Sequence, residues 1–237
     1  DYLGAEDTPY TRAVIRKSLT AAVARALSAG IKYGCMPIFT GPQGIGKSTF
    51  LSVLGGDWFS DSLTSFEGKE AAEMIQGTWI NEVGELTAFT RQETESIKQF
   101  LSKKEDIYRA AYGKRTEKYP RRCVFFGTSN AGEFLKDTTG NRRFWPVDVG
   151  IHPAKKSVWE DLPRERDQIW AEARVSWMLG EPLFLPKELE SLATEQQERH
   201  REASGKEGIV LDFLEKRVTE DWDRRTGWER RMYWGGE

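Results

Sequence analysis

The sequence has 237 residues and a mass of 27.1 kDa, enough for one large domain with a buried core. Apolar residues at 38%, charged residues at 30% and aromatics at 12% exclude a disordered, collagen-like or fibrous chain, and no apolar run approaches the ~18 residues that span a bilayer. A net charge of −2 and a pI of 5.9 remove any global electrostatic argument for nucleic acid, so such a partner would have to be held by a local patch.

Residues 10–29 place Val14, Ile15, Leu19, Val23, Ala26 and Leu27 at helical spacing, with Gly30 as the C-terminal cap. Residues 35–40 form an apolar strand feeding the run GPQGIGKST, after which FLSVLGG continues as a helix ending at Gly55 and Gly56. A helix around Glu70 to Ile75 precedes a strand over 78–83, TWINEV. Thr90-Arg91-Gln92-Glu93 is a capping box that opens the next helix, which ends in the basic pair Lys103 and Lys104. Residues 106–113 and 118–128 flank a basic turn, a hairpin leading into the apolar strand CVFF, and RRFWPVDV reads as a further strand. Over 163–179, Pro163 starts a helix with Ile169, Trp170, Ala173 and Trp177 on one face and Gly180 beyond its end. Residues 186–203 are polar and helix-forming, and SGKEG at 204–208 reads as a linker. The expected division is therefore an N-terminal helical segment over 1–34, an α/β core over 35–185, and a truncated C-terminal helical extension over 186–237.

Cys35 and Cys123 each sit in a short apolar segment, so buried free thiols are expected rather than a disulfide framework. With only His152 and His200 besides, no zinc site is expected. The chain opens on Asp1 without a signal peptide, which predicts a cytoplasmic protein excised from something longer.

The most specific signal is Gly41-Pro42-Gln43-Gly44-Ile45-Gly46-Lys47-Ser48-Thr49. It fits the phosphate-loop pattern G-x-x-x-x-G-K-[ST] at every fixed position and lies between a strand and a helix, as the pattern requires. Its glycines let backbone N–H groups curl around phosphate, the helix presents its positive end, Lys47 neutralises the outer phosphates and Ser48 offers a hydroxyl to Mg²⁺. Such a loop needs an acid at a neighbouring strand end. Glu82 is the candidate for the magnesium-linked acid and Glu85 for the water-activating one, with the reverse order open. The strand CVFF runs into Asn130, an uncharged amide placed to orient attacking water. Arg142 and Arg143 precede a strand and could stabilise the charge of a phosphoryl-transfer transition state, often from a neighbouring molecule. Between residues 101 and 122, eight basic residues face three acidic ones, a local balance of +5, with Tyr108, Tyr112 and Tyr119 interleaved. That combination suits a groove for single-stranded nucleic acid, in competition with a basic hairpin that simply faces water.

Taken together, GPQGIGKST, TWINEVGEL, YRAAYGKRTEKYPRRCVFFGTSN and GNRRFWPVDV resemble the virulence-associated protein E family of phages and genomic islands, over roughly residues 1–185. That resemblance implies a superfamily 3 helicase-like member of the AAA+ group: an α/β phosphate-loop NTPase with a mostly parallel central sheet flanked by helices, forming rings, commonly hexameric, with a primase-like region often upstream. It also implies a bacterial host cell as the setting. By the same resemblance Lys47 and Ser48 match the Walker A positions, Glu82 and Glu85 the Walker B region, Asn130 the sensor asparagine and Arg142 or Arg143 the arginine finger. Lys114 and Arg115, with Lys118 beside them, match the hairpin that such helicases turn toward DNA. One departure is Asn81, a polar residue interrupting the short strand before Glu82. The expected function is an ATPase motor that uses ATP and Mg²⁺ at subunit junctions to move single-stranded DNA and unwind duplex. The alternative is an ATP-driven switch or assembly factor of the same fold that binds partner protein without unwinding.

Overall fold

A computed structural model describes residues 1–86, 90–135, 141–201 and 222–235. Seven strands lie among the described residues: β1 (Met36–Thr40), β2 (Phe59–Ser60), β3 (Ile80–Val83), β4 (Glu105–Tyr108), β5 (Glu117–Pro120), β6 (Val124–Ser129) and β7 (Phe144–Asp148), of which β4 and β5 are largely polar. Five of them form one parallel sheet in the order β2-β3-β6-β1-β7, and β4 and β5 pair separately as an antiparallel hairpin. Every residue of β1 and β6 is buried, which is what a parallel strand covered on both faces demands.

The α-helices among the described residues are α1 (Pro9–Leu27), α2 (Lys47–Gly55), α3 (Gly68–Met74), α4 (Arg91–Leu101), α5 (Asp161–Met178), α6 (Glu190–Arg199) and α7 (Gly227–Gly235). Strand alternation divides the core between the two faces of the sheet. Phe39, Val124, Phe126 and Val147 gather with Val14 of α1, Leu51 and Leu54 of α2 and Leu162 of α5. Met36, Ile38, Phe125 and Phe144 pack with Ala71 of α3 and Ile97, Phe100 and Leu101 of α4. The expected α/β sheet with helices on both faces is therefore present. Asn81 does not break β3: it pairs with Phe125 in the β3–β6 register, is buried, and its Nδ2 donates to Thr78 Oγ1 at 2.9 Å.

Several element ends follow their capping chemistry. Thr8 caps α1, with its Oγ1 accepting from the Thr11 N–H at 3.1 Å and Pro9 next. The capping box at Thr90 forms, the Thr90 N–H donating to Glu93 Oε2 at 2.6 Å and the Glu93 N–H to Thr90 Oγ1 at 3.3 Å. Helix α1 ends three residues before Gly30, with Ser28 as its cap; Gly30 instead makes a turn at φ +82° whose N–H donates to Arg121 O at 2.9 Å. Helix α5 begins two residues ahead of Pro163, a position in the first turn where a missing N–H costs no intrahelical bond. Residues Asn141–Arg143 form a 3₁₀ turn, so both arginines precede β7 rather than lying in it.

Helix α6 packs on β7, its Gln197 Nε2 donating to Phe144 O at 2.9 Å. The compact unit accordingly runs over Asp1–Arg201, and the boundary expected at 185 falls inside it, as does the one at 34. A second unit covers Glu202–Glu237. In it α7 is joined to the turn at Trp222 by Arg230 Nε donating to Trp222 O at 3.1 Å. The linker expected at 204–208 lies outside the described residues. Both cysteines are free, and burial pushes their thiols up, to about 12 for Cys35 and about 11 for Cys123.

Candidate functional site

Strand β1 has β6 on one side and β7 on the other, while its own helix α2 carries the chain across to β2 at the far edge. Open parallel sheets form their ligand crevice at the carboxyl ends of strands where the winding reverses in this way. The glycine-rich loop leaves β1 at that edge. Gly41 lies so close to the chain after β7 that a Cβ there would sit 2.2 Å from Val149 O. Gly46, at φ +92°, is the N-cap of α2 and offers no side-chain cap, so the N–H groups of the first helical turn are left for a ligand. A cleft of about 430 Å³ opens beside the loop, with Gln43, Lys47, Glu82, Glu85, Asn130 and Trp159 on its walls.

Lys47 is the first residue of α2 and only 7% exposed. Its Nζ donates to Gly41 O at 2.6 Å, Pro42 O at 2.8 Å and Asn130 Oδ1 at 2.9 Å. Burial lowers its pKa and the nearby Glu82 carboxylate opposes that shift. Asn130, one residue past β6, is thus joined to the lysine across the crevice.

Glu82 is 4% exposed on β3. Its Oε1 accepts from Ser48 Oγ and from Thr128 Oγ1, each at 2.7 Å, while Oε2 is buried without a hydrogen-bond partner. A buried carboxylate oxygen left unpaired is costly, and a hard cation is the partner that this oxygen and the Ser48 hydroxyl would share. These residues therefore fit a magnesium ion. Glu85 stands on the same cleft, exposed, at φ 51°; such a left-handed conformation in a residue other than glycine is uncommon outside turns and functional sites. Of the two carboxylates, Glu82 is the one bonded to Ser48, and Glu85 is the one open to water.

Arg142 and Arg143 are elsewhere. Phe144 pairs with Met36 at the beginning of β1, whereas the loop follows Thr40 at its end. About 15 Å of strand separates the arginines from the cleft. Arg143 is half-buried and its Nε donates to Ser102 Oγ at 2.8 Å at the end of α4. Arg142 is exposed and has no hydrogen bond or ion pair among the described residues.

The basic stretch sorts into two groups. Arg121 is wholly buried, making a bidentate pair with Asp106 (Nε–Oδ2 2.7 Å, Nη2–Oδ1 2.8 Å), donating to Phe100 O at 2.6 Å and lying 4.1 Å from the Phe100 ring centre. Arg122 donates to Ala26 O at the end of α1 at 2.7 Å. These two fasten the base of the β4–β5 hairpin to the core. Lys118 is exposed, 3.5 Å from Glu105 across the hairpin. Beyond the paired strands, Arg109, Lys114 and Arg115 are exposed around Tyr112, whose side chain is fully open at φ +61°. Tyr119 is already stacked on Tyr108 at 4.3 Å between ring centres, so Tyr112 is the aromatic free to meet a partner. Thr128, Trp159 and the anchoring role of Arg121 were not read from the sequence; each depends on a partner brought in from another strand or helix.

In fold, the chain is similar to the apo structure of the NrS-1 C terminal region (305-718), with a TM-score of 0.50 at 13% identity, covering 99% of this chain and 64% of that one. An A form of the same apo region gives a TM-score of 0.49 at 13% identity, covering 98% and 62%. The chain spans less than two thirds of these structures' length. Among curated proteins none matches the sequence. The family model described as the virulence-associated protein E-like domain matches residues 1–202, which takes in the whole of the larger unit and every residue lining the cleft, and the chain therefore belongs to the virulence-associated protein E-like domain family.

Proposed function

We propose that this domain is an ATPase motor of the superfamily 3 helicase-like AAA+ type, which binds Mg²⁺ and ATP at the glycine-rich loop and hydrolyses ATP at the junctions of a ring, most simply a hexamer. Its work would be to move single-stranded DNA during replication of a phage or mobile element. The observation that carries this reading is the convergence of two bonded sets, Lys47 with Asn130 and Ser48 with Glu82 and Thr128, on one cleft at the carboxyl edge of the sheet.

In this reading Lys47 exchanges its loop carbonyls for phosphate oxygens, and the N–H groups of the loop and of α2 hold the remaining phosphates. Magnesium bound at Ser48 and Glu82 would neutralise charge on the transferred group. Glu85 accepts the proton of the attacking water, and Asn130 orients that water by its amide. Arg142 stands too far from the cleft of its own chain to reach it, so its role is to complete the cleft of a neighbouring chain. Arg143 positions the turn by its bond to Ser102. Membership of the family and the likeness in fold to the NrS-1 C terminal region support the reading.

The hairpin is the part that would touch DNA. If Lys114, Arg115 and Lys118 meet phosphates, affinity for a labelled single strand falls with salt at a log–log slope of about −0.7 per neutralised phosphate. Lys114→Ala combined with Arg115→Ala should weaken binding whatever the sequence, flatten that slope by about 1.4, and leave hydrolysis without DNA nearly intact. Equal affinity and equal slope for parent and double variant would replace the helicase reading with that of a protein-binding switch.

A further inference from the structure

The cleft has a wall that the chemistry above does not use. Strand order places Glu82, on β3, and Asn130, just past β6, to one side of β1, and the chain after β7 on the other. That chain closes over the glycine-rich loop: the Val149 N–H donates to Thr40 O at 2.8 Å, and Gly150 lies against Pro42 and Ile45. It then presents Val158, buried against Gly46, and Trp159, whose ring edge lies 3.5 Å from the position a Cβ on Gly46 would take. Trp159 is the one aromatic side chain among the described residues lining the cleft, and it is 60% exposed.

The backbone that carries this exposed indole is held by the hydrogen bonds of its own turn. The Trp159 and Glu160 N–H groups both donate to Ser157 Oγ, at 3.2 and 3.1 Å, and the Ser157 N–H donates to Asp161 Oδ2 at 2.7 Å. The turn leads directly into α5, whose Leu162 is in the core. An indole on the wall of the cleft that also carries the lysine, the carboxylates and the asparagine suits a ligand that joins a planar ring to phosphates.

We infer that Trp159 is the stacking platform for the base of the bound nucleotide. The inference rests on the nucleotide-binding reading above and adds the group that would hold the base. Stacking uses the π-face, which every base has, so this contact favours a nucleotide over bare phosphates and discriminates little between adenine and guanine.

The test is calorimetric titration of the intact chain with Mg·ATP, Mg·GTP and Mg·tripolyphosphate, for the parent, Trp159→Ala and Trp159→Phe. The expected result is that Trp159→Ala weakens ATP and GTP alike by roughly 5- to 150-fold, the range that loss of one base stack gives. Tripolyphosphate affinity should be unchanged, and Trp159→Phe should retain most of the nucleotide affinity. If Trp159→Ala binds ATP as the parent does, or loses tripolyphosphate by the same factor as ATP, the platform is overturned while the phosphate site stands. If the parent binds neither ATP nor tripolyphosphate, the nucleotide reading itself fails and the platform with it.

Discussion

Lys47→Ala is expected to abolish ATP hydrolysis. The lysine is nearly buried at the start of α2, and its Nζ already occupies the point between Gly41 O, Pro42 O and Asn130 Oδ1. No other cation among the described residues lines the cleft, so no neighbour can take its place against phosphate charge. The two carboxylates should separate by kind of loss. Glu85→Gln should still bind Mg·ATP but turn over about 10²- to 10⁴-fold more slowly, the usual effect of removing a general base. Glu82→Gln should weaken magnesium-dependent binding, because the side chain whose unpartnered Oε2 would meet the ion loses its charge. Steady-state hydrolysis and nucleotide titration at several magnesium concentrations check all three. Full turnover by Lys47→Ala would remove the site from consideration, and the opposite pattern in the glutamates would exchange their roles.

Arg121→Ala should be the most destabilising single change at the hairpin. It leaves Asp106 charged and buried with no partner, a loss of about 3–5 kcal/mol for a broken buried pair. For a unit of this size that is roughly 6–20 °C in Tm. Replacing both members, as Arg121→Met with Asp106→Leu, should recover much of the stability, since a buried ion pair exchanged for apolar side chains of similar size is often neutral. Thermal unfolding followed by circular dichroism measures both. A Tm within about 2 °C of the parent for Arg121→Ala would mean the pair does not fasten the hairpin.

How much of this was legible beforehand depended on how local the cause was. The glycine-rich loop and the Thr90 capping box are written within a few residues, and both form where expected. The alternation of Phe39, Phe125 and Phe126 with their neighbours likewise announces a sheet covered on both sides. Strand β2 escaped notice because two residues carry no period. The basic stretch looked uniform in sequence, yet Arg121 is buried and Lys114 is not. What separates them is Asp106, fifteen positions away and brought alongside only by hairpin register. Thr128 and Trp159 reached the cleft through β6 and the turn before α5, and no spacing within their own segments marks them. Asn81 looked like an interruption of β3; its amide is bonded to Thr78 and the strand continues through it.

The arginine placement bears most on the mechanism, because Arg142 and the loop lie at opposite ends of the same sheet. The decisive measurement is ATP hydrolysis over a range of protein concentration, with and without a single-stranded oligonucleotide, beside a mixture of Lys47→Ala and Arg142→Ala chains. If clefts are completed between chains, the rate per chain rises with concentration and with DNA. The mixture is then more active than either variant alone, because some junctions join an intact loop to an intact arginine. A rate per chain independent of concentration, unaltered by DNA and not improved by mixing co-assembled variants would contradict a ring motor.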